Sequence, residues 1–256
     1  MSEQQNLPAI EMRGVSVATL RDPTFIVLQQ VNWRVARGEF WVVGGPQHAG
    51  KTDLIFTAAG LVPPAAGQLQ LFGQDPQTFG EGQIAQRLRI GIVQEGGKLF
   101  SHLTIAENVA LPLHYHKNLP PAAAALAVTS LLDLVELTPL ADRRPANVSA
   151  NWRQRAALAR ALILQPELLL LDNPLGGLAA RHQFWWLRFL DALWRGHDFF
   201  GGAPMTMAAT TDDFRPWRNA PRRLALLRDK QFIRLGSWPE IETSDDVAVK
   251  ELLAAI

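Results

Sequence analysis

The chain has 256 residues, 48% of them hydrophobic and 19% charged, with a formal net charge of +1 and no cysteine. That length and apolar fraction suffice for a large core, in one domain or two close lobes. Near-neutral charge argues against a nucleic-acid partner. Without thiols there are no disulfides, thiolate zinc sites or cysteine nucleophiles, which fits a reducing compartment. The opening MSEQQNLPAIEM lacks the basic and apolar regions of a secretion signal. No apolar run approaches the ~20 residues needed to cross a bilayer, so no direct membrane insertion is expected and a partner would hold the protein at a membrane.

Three β-rich runs come first: residues 10–20, 25–35 and 39–45, with Arg37-Gly38 as a turn before the third. Residues 51–60 read as a helix, ended by Gly60 and the loop VPPAAG. GQLQLFG alternates like a hairpin strand, and residues 88–94 (LRIGIVQ) form a buried-strand candidate. From about residue 104 to 163, Ala and Leu recur at helical spacing, with Pro120-Pro121 and Pro139 as breakers. This block reads as a helical insertion between two strands of one α/β core. Residues 168–171 return to the sheet, 181–195 form a Trp-rich helix, and 205–209 a further strand. Residues 224–227 and 231–235 make a hairpin around Arg228-Asp229-Lys230. The Trp-rich helix reads as a core face or partner surface. His114 and His116 flank Tyr115 with no carboxylate–His pattern, and no metal is expected there.

Between the third strand and the first helix stands GPQHAGKT: Gly45, Pro46, Gln47, His48, Ala49, Gly50, Lys51 and Thr52. It fits G-x-x-x-x-G-K-[ST] in the required strand–helix context. Backbone N–H groups at a helix start surround anionic oxygens, aided by the helix dipole. Lys51 would reach the β/γ-phosphates and the Thr52 hydroxyl would bind Mg²⁺, so ATP or GTP is the expected ligand. Two residues depart from the ideal cradle. His48 sits where many such loops place a third glycine, at the expense of positive-φ freedom. Asp53 follows Thr52, and its carboxylate is expected to lie near the α-phosphate and weaken binding.

The order GPQHAGKT, IGIVQE, VSANWRQRAALARAL and LLLLDNP resembles an ABC-transporter ATPase subunit over nearly the whole chain. The stretch LFSHLTIAENVALPLHYHKNLP and the tail SDDVAVKELLAAI are similar to the ATPases of MCE-type (Mla-type) lipid transporters. The resemblance implies an α/β fold with a RecA-like P-loop core, an N-terminal antiparallel β lobe and an inserted α-helical lobe. Residues 1–95 and 161–235 would form the core and β lobe, 96–160 the helical lobe and 236–256 a C-terminal extension. It also implies ATP and Mg²⁺ as cofactors and a second ATPase subunit, identical or different, as dimer partner. A membrane permease contacted near Gln94, an MCE protein in the lipid-transport case, and a cytoplasmic position at the inner face of the membrane follow from it too.

Carried over by position, the resemblance makes Asp172 the Mg²⁺-holding aspartate and Gln94 the γ-phosphate and permease sensor. The signature expected as LSGGQ reads Val148, Ser149, Ala150, Asn151 and Trp152, so both glycines that let backbone N–H groups approach a partner's phosphate are gone. Asn173 stands at the catalytic glutamate position and Thr211 at the switch-histidine position. Ala179 stands where the resemblance places the D-loop aspartate, in the segment GGLA, and no aromatic adenine platform occurs near residues 18–19, although Phe25 could substitute. An amide orients water but cannot take its proton. These departures imply a degenerate ATP-binding subunit with slow or no hydrolysis. A working ATPase and a nucleotide-free scaffold are the alternatives.

Overall fold

The computed structural model describes residues 7–78, 84–117, 119–218 and 222–254. The first and last residues of the stretches read above, 1–6 and 255–256, and Asn118 of the helical insertion lie outside them. Strands β1 (Ile10–Ala18) and β2 (Ile26–Val35) pair antiparallel, β3 (Phe40–Gly44) leads to helix α1 (Lys51–Ala58), and β4 (Ala66–Leu71) returns to β1. Then come α2 (Ile84–Arg87), β5 (Ile90–Val93), α3 (Ile105–His116), α4 (Pro121–Leu134) and α5 (Ala150–Leu162). The chain continues through β6 (Leu168–Leu171), α6 (Ala180–Arg195), β7 (Thr206–Thr211), β8 (Arg223–Arg228) and β9 (Gln231–Arg234), and ends in α7 (Trp238–Glu242) and α8 (Val247–Ala254).

Two sheets result. A three-stranded antiparallel sheet runs β2-β1-β4, and a six-stranded sheet runs β5-β6-β7-β3-β8-β9, parallel except for the β8–β9 hairpin. Strands β3 and β6 are continuous apolar runs, and β7 and β8 have apolar centres, as a sheet covered on both faces requires. Strict alternation divides them between two cores. Phe40, Val42, Leu169, Leu171, Met207, Ala209, Leu224 and Leu226 join the core that includes the inserted helices and α6. Trp41, Val43, Leu168, Leu170, Ala208, Ala225 and Leu227 join the core shared with α1 and the antiparallel sheet. A one-residue slip in any strand would exchange the two sets.

The insertion α3–α5 lies between β5 and β6 in the chain, with α3 packed on α4 and α5. A capping box starts α3: the Thr104 hydroxyl accepts from Glu107 N–H, and the Glu107 carboxylate accepts from Thr104 N–H at 2.7 Å. Fully buried Asn108 accepts from Phe100 N–H and donates to Phe100 O and Thr104 O, pinning the turn before the helix. Pro121 opens α4 at its first position, where its missing N–H costs nothing. The helix expected over residues 51–60 stops at Ala58, with Gly60 in the left-handed conformation just beyond it. Helices α2, α7 and α8 were not legible in the sequence. Helix α8 packs on the segment after β7, where Phe214 N–H donates to Leu252 O at 3.0 Å.

Candidate nucleotide site

The β3–α1 loop leaves the middle of the larger sheet, beside β7 and with β6 one strand further. Gly44 admits no side chain, because a Cβ there would lie 2.3 Å from the Phe214 ring. Gly50 caps α1 at φ +87°, packed against Val27. His48 adopts φ +64° despite its side chain, so the loop keeps the conformation expected of glycine there and carries the strain. Lys51 Nζ donates to Gly45 O and Pro46 O at 2.7 Å each and pairs with Asp212 Oδ1 at 2.7 Å. All three ammonium hydrogens are thereby engaged.

One turn on, the Thr52 hydroxyl donates to Asp172 Oδ2 at 2.8 Å. Asp172 ends the buried β6 strand and also accepts from the Thr210 hydroxyl of β7 at 2.9 Å. Burial pushes the Asp172 carboxyl above its usual range, and the two hydroxyls pull it back; Glu95 nearby raises it and Lys51 lowers it. Asn173 follows at φ +45°, a left-handed conformation that asparagine tolerates. Its N–H donates to Thr210 Oγ1, and its side-chain amide donates to Glu95 Oε1 at 2.8 Å and Asp212 Oδ2 at 2.9 Å. The amide lies so close to Gly176 that a Cβ there would meet it at 2.4 Å.

The structure therefore brings Lys51, Thr52, Asp172 and Asn173 together and adds Glu95, Thr210 and Asp212. Sequence reading missed these three, although Glu95 adjoins Gln94 and Thr210–Asp212 end β7. Gln94 sits half-buried at the end of β5. Thr211 is turned inward: its hydroxyl donates to Asp213 O and accepts from Trp217 Nε1 at 3.1 Å. Ala179 caps α6, and Phe25 is 55% exposed with Lys230 over its ring.

Asp53, expected beside the α-phosphate, has its carboxylate engaged within the chain. Its Oδ1 accepts from Leu20 N–H at 2.8 Å, so it ties the β1–β2 connection to α1. The segment Val148–Trp152 forms the entry of α5 and shares no hydrogen bond with the Lys51–Asp172 cluster among the described residues. Ser149 is its exposed N-cap, whereas Asn151 is 3% exposed with neither amide atom paired. Trp152 packs with Arg155, whose guanidinium lies 4.6 Å from its ring and 3.6 Å from that of Trp185. Glu136 closes this cluster, accepting from Arg155 Nη1 at 2.6 Å and from Trp185 Nε1 at 3.0 Å.

The donor set fits a nucleoside triphosphate and Mg²⁺. A helix N-terminus and Lys51 suit phosphate oxygens, and the adjacent hydroxyl and carboxylate of Thr52 and Asp172 suit a hard cation. Fold and cradle together define a P-loop nucleotide-binding protein. The family model described as ABC transporter matches residues 28–176, and the chain belongs to that family. Similar curated proteins are named sulfate/thiosulfate import ATP-binding protein CysA. That of Caulobacter vibrioides is 37% identical over 224 residues, covering 86% of this chain and 63% of the relative. That of Methylococcus capsulatus is 34% identical over 236 residues, 91% of this chain and 64% of the relative. That of Thermosynechococcus vestitus is 40% identical over 158 residues, 62% and 46%. The chain thus spans about half to two thirds of the length of these relatives.

A dimeric bacterial ABC transporter cassette superposes with TM-score 0.75 at 26% identity, covering 89% of this chain and 99% of that one. A post-hydrolysis dimer of an ATP-binding cassette bound to ADP and phosphate gives TM-score 0.76 at 24% identity, which bears on the fold. The molecule has the ABC ATPase fold: a P-loop core, an antiparallel β lobe and an inserted helical lobe. The lipid-transport likeness of residues 99–120 finds no counterpart in the names of these relatives. Among the described residues no helix is long and apolar enough to cross a membrane.

Proposed function

We propose that this protein is the ATP-binding subunit of an ABC transporter that responds to nucleotide binding and hydrolyses slowly or not at all. Lys51 and the N–H groups of the 45–52 loop bind the phosphates, and Thr52 and Asp172 hold Mg²⁺, which neutralises phosphate charge when bound. The observation that carries the reading is the Asn173 side chain, an amide where the family places a glutamate, with both N–H groups committed to Glu95 and Asp212. It has no basic atom for a water proton, and general-base catalysis is worth ~10²–10⁴-fold. Thr211 supports the same reading, since its hydroxyl is engaged with Asp213 and Trp217. A working ATPase is the second reading, favoured by the carboxylates of Glu95 and Asp212 beside that amide.

The subunit pairs with a second ATPase subunit and docks through residues 96–160 and Gln94 on a membrane permease, peripheral to the inner face of the membrane. The relatives' names support an oxyanion such as sulfate as cargo, whereas residues 99–120 and the tail support a lipid with an MCE partner. Titration with Mg-ATP and steady-state phosphate release test the proposal. Binding with turnover far below an ordinary ~10 s⁻¹ is expected; turnover at that rate establishes the working ATPase instead, and absence of binding a scaffold. The permease that co-purifies, and whether it moves sulfate or phospholipid in vesicles, decides the cargo.

A further inference from the structure

We propose that Lys51, Asp212, Asn173 and Glu95 form a binding-driven relay, in which phosphate takes Lys51 from Asp212 and the Asn173 amide passes that change to the segment after Gln94. The inference rests on the nucleotide-binding reading above. Its physical basis is a chain of three contacts with every donor used: Lys51 to Asp212 at 2.7 Å, and Asn173 to Asp212 at 2.9 Å and to Glu95 at 2.8 Å.

Exposure decides which group moves. The Lys51 side chain is 10% exposed and held by two carbonyls of its own loop, while that of Asp212 is 45% exposed. A phosphate oxygen at Lys51 needs one of its three hydrogens and brings negative charge against Asp212. The two carbonyls are neutral and covalently part of the cradle, so Asp212 is the partner that leaves, into water. Asn173 cannot follow it. The residue is 6% exposed, and its amide rests on Gly176 at the start of the loop to α6.

Departure of Asp212 therefore strands one buried N–H of Asn173, an unfavourable state unless the amide finds a new acceptor. The acceptor in reach is the Glu95 carboxylate already on its other hydrogen, and shifting toward it draws on the 95–98 turn. That turn has room to move at Gly96, which has positive φ and nothing within 4 Å of where a Cβ would be, whereas Gly97 is packed on Arg153 of α5 and passes the shift to it. A ligand shifts such an equilibrium by its differential interaction with the two states, and here that difference is the Asp212 charge. Coupling of this kind requires no hydrolysis, and a glutamate at residue 173 could not provide it, having no N–H to share.

The absence of cysteine makes the test direct, because Lys98→Cys supplies the sole thiol for an environment-sensitive fluorophore. Saturating Mg-ATP is expected to shift the label's emission. Asp212→Ala is expected to give a shift in the same direction without nucleotide, and to tighten Mg-ATP binding by about tenfold, the factor of ~1.4 kcal/mol. Asn173→Ala and Glu95→Ala lose the response at saturation, whereas Glu95→Gln, which keeps an acceptor oxygen, retains it. Circular dichroism establishes that each variant is folded. A full response in Glu95→Ala, or an unmoved label in nucleotide-free Asp212→Ala, overturns the relay. Should Mg-ATP fail to bind, the nucleotide reading falls, and the Asp212→Ala arm still decides the relay.

Discussion

Asn173 shows how little of a site's meaning a single position carries. Restoring the family's carboxylate with Asn173→Glu would place it beside Glu95, Asp212 and Asp172, with the donor that held two of them removed. Like charges at these distances repel, and a base works only where the water and charge-stabilising donors are already placed. Asn173→Glu is expected to raise phosphate release by less than ~10-fold, well short of what an installed general base supplies. A rise of a hundredfold would mean the remaining site is competent. Asp53 teaches a related lesson. Charge alone suggests that Asp53→Thr tightens nucleotide binding, but the carboxylate is engaged with Leu20 N–H. Mg-ATP affinity is expected to change by less than about twofold, with ~1 kcal/mol of stability lost with the hydrogen bond. A large affinity gain by calorimetry would place the carboxylate near phosphate after all. Lys51, Thr52 and Asp172 were legible because their motif spacing is tied to a strand–helix junction. Glu95 and Asp212 were not, because their contacts to Asn173 span 78 and 39 residues.

At the scale of elements, long periodic segments announced themselves and short ones did not. The four leucines of β6 and the run of β3 are each buried throughout, so their apolar character had one reading. Helix α6 shows Trp186, Phe189, Leu190 and Leu193 to the core, and its Trp-rich sequence is largely a packing face. Helices α2 and α7, of four and five residues, are too short to show a period. What joins the insertion to α6 is the Arg155 cluster, a guanidinium between two tryptophans with Glu136 across its edge. Arg155→Ala removes two cation–π contacts and one ion pair, and about 2 kcal/mol of stability is expected to go with them. Arg155→Lys should recover only part, because an ammonium lacks the planar face that stacks. Urea denaturation of the three proteins measures this, and a loss below ~0.5 kcal/mol would make the cluster ornamental.

In the whole molecule the larger sheet has two differently used faces and an ion-paired cluster at each end. The Lys51–Asp172 cluster gathers at the C-terminal ends of the strands, while at the other end Glu167, just before β6, receives Arg89 and Arg37 at 2.6 Å each. The Arg89 hydrogen bonds, with help from Arg37, hold the Glu167 carboxyl below its usual range against the opposing effect of burial. A depressed carboxylate contributes stability that is present above its unfolded pKa and lost as pH falls through its folded one. Glu167→Gln should therefore lower stability at neutral pH and flatten the acid limb of the stability profile. The side chain is 43% exposed, so the effect is expected to stay under ~1 kcal/mol. Parallel acid limbs in wild type and variant would refute the assignment. The burial of β3 and β6 on both faces was foreshadowed by their unbroken apolar runs, whereas the strand order was not legible. The C-terminal cover over Phe214 was not, since α7 and α8 lack a strong period and their placement depends on contacts from across the chain.

The Arg155 cluster also has an optical consequence. Trp185 and Trp186 stand at 5.8 Å with their planes 84° apart, and Trp185 stacks on Phe189 at 5.0 Å. Aromatic rings held this close in one fixed chiral arrangement give strong near-ultraviolet dichroism, which depends on that arrangement. The near-ultraviolet dichroism of this chain should therefore carry a band from α6, where all three rings lie. Loss of the Arg155 stack on Trp185, which joins α5 to α6, becomes visible as ellipticity, with no probe attached.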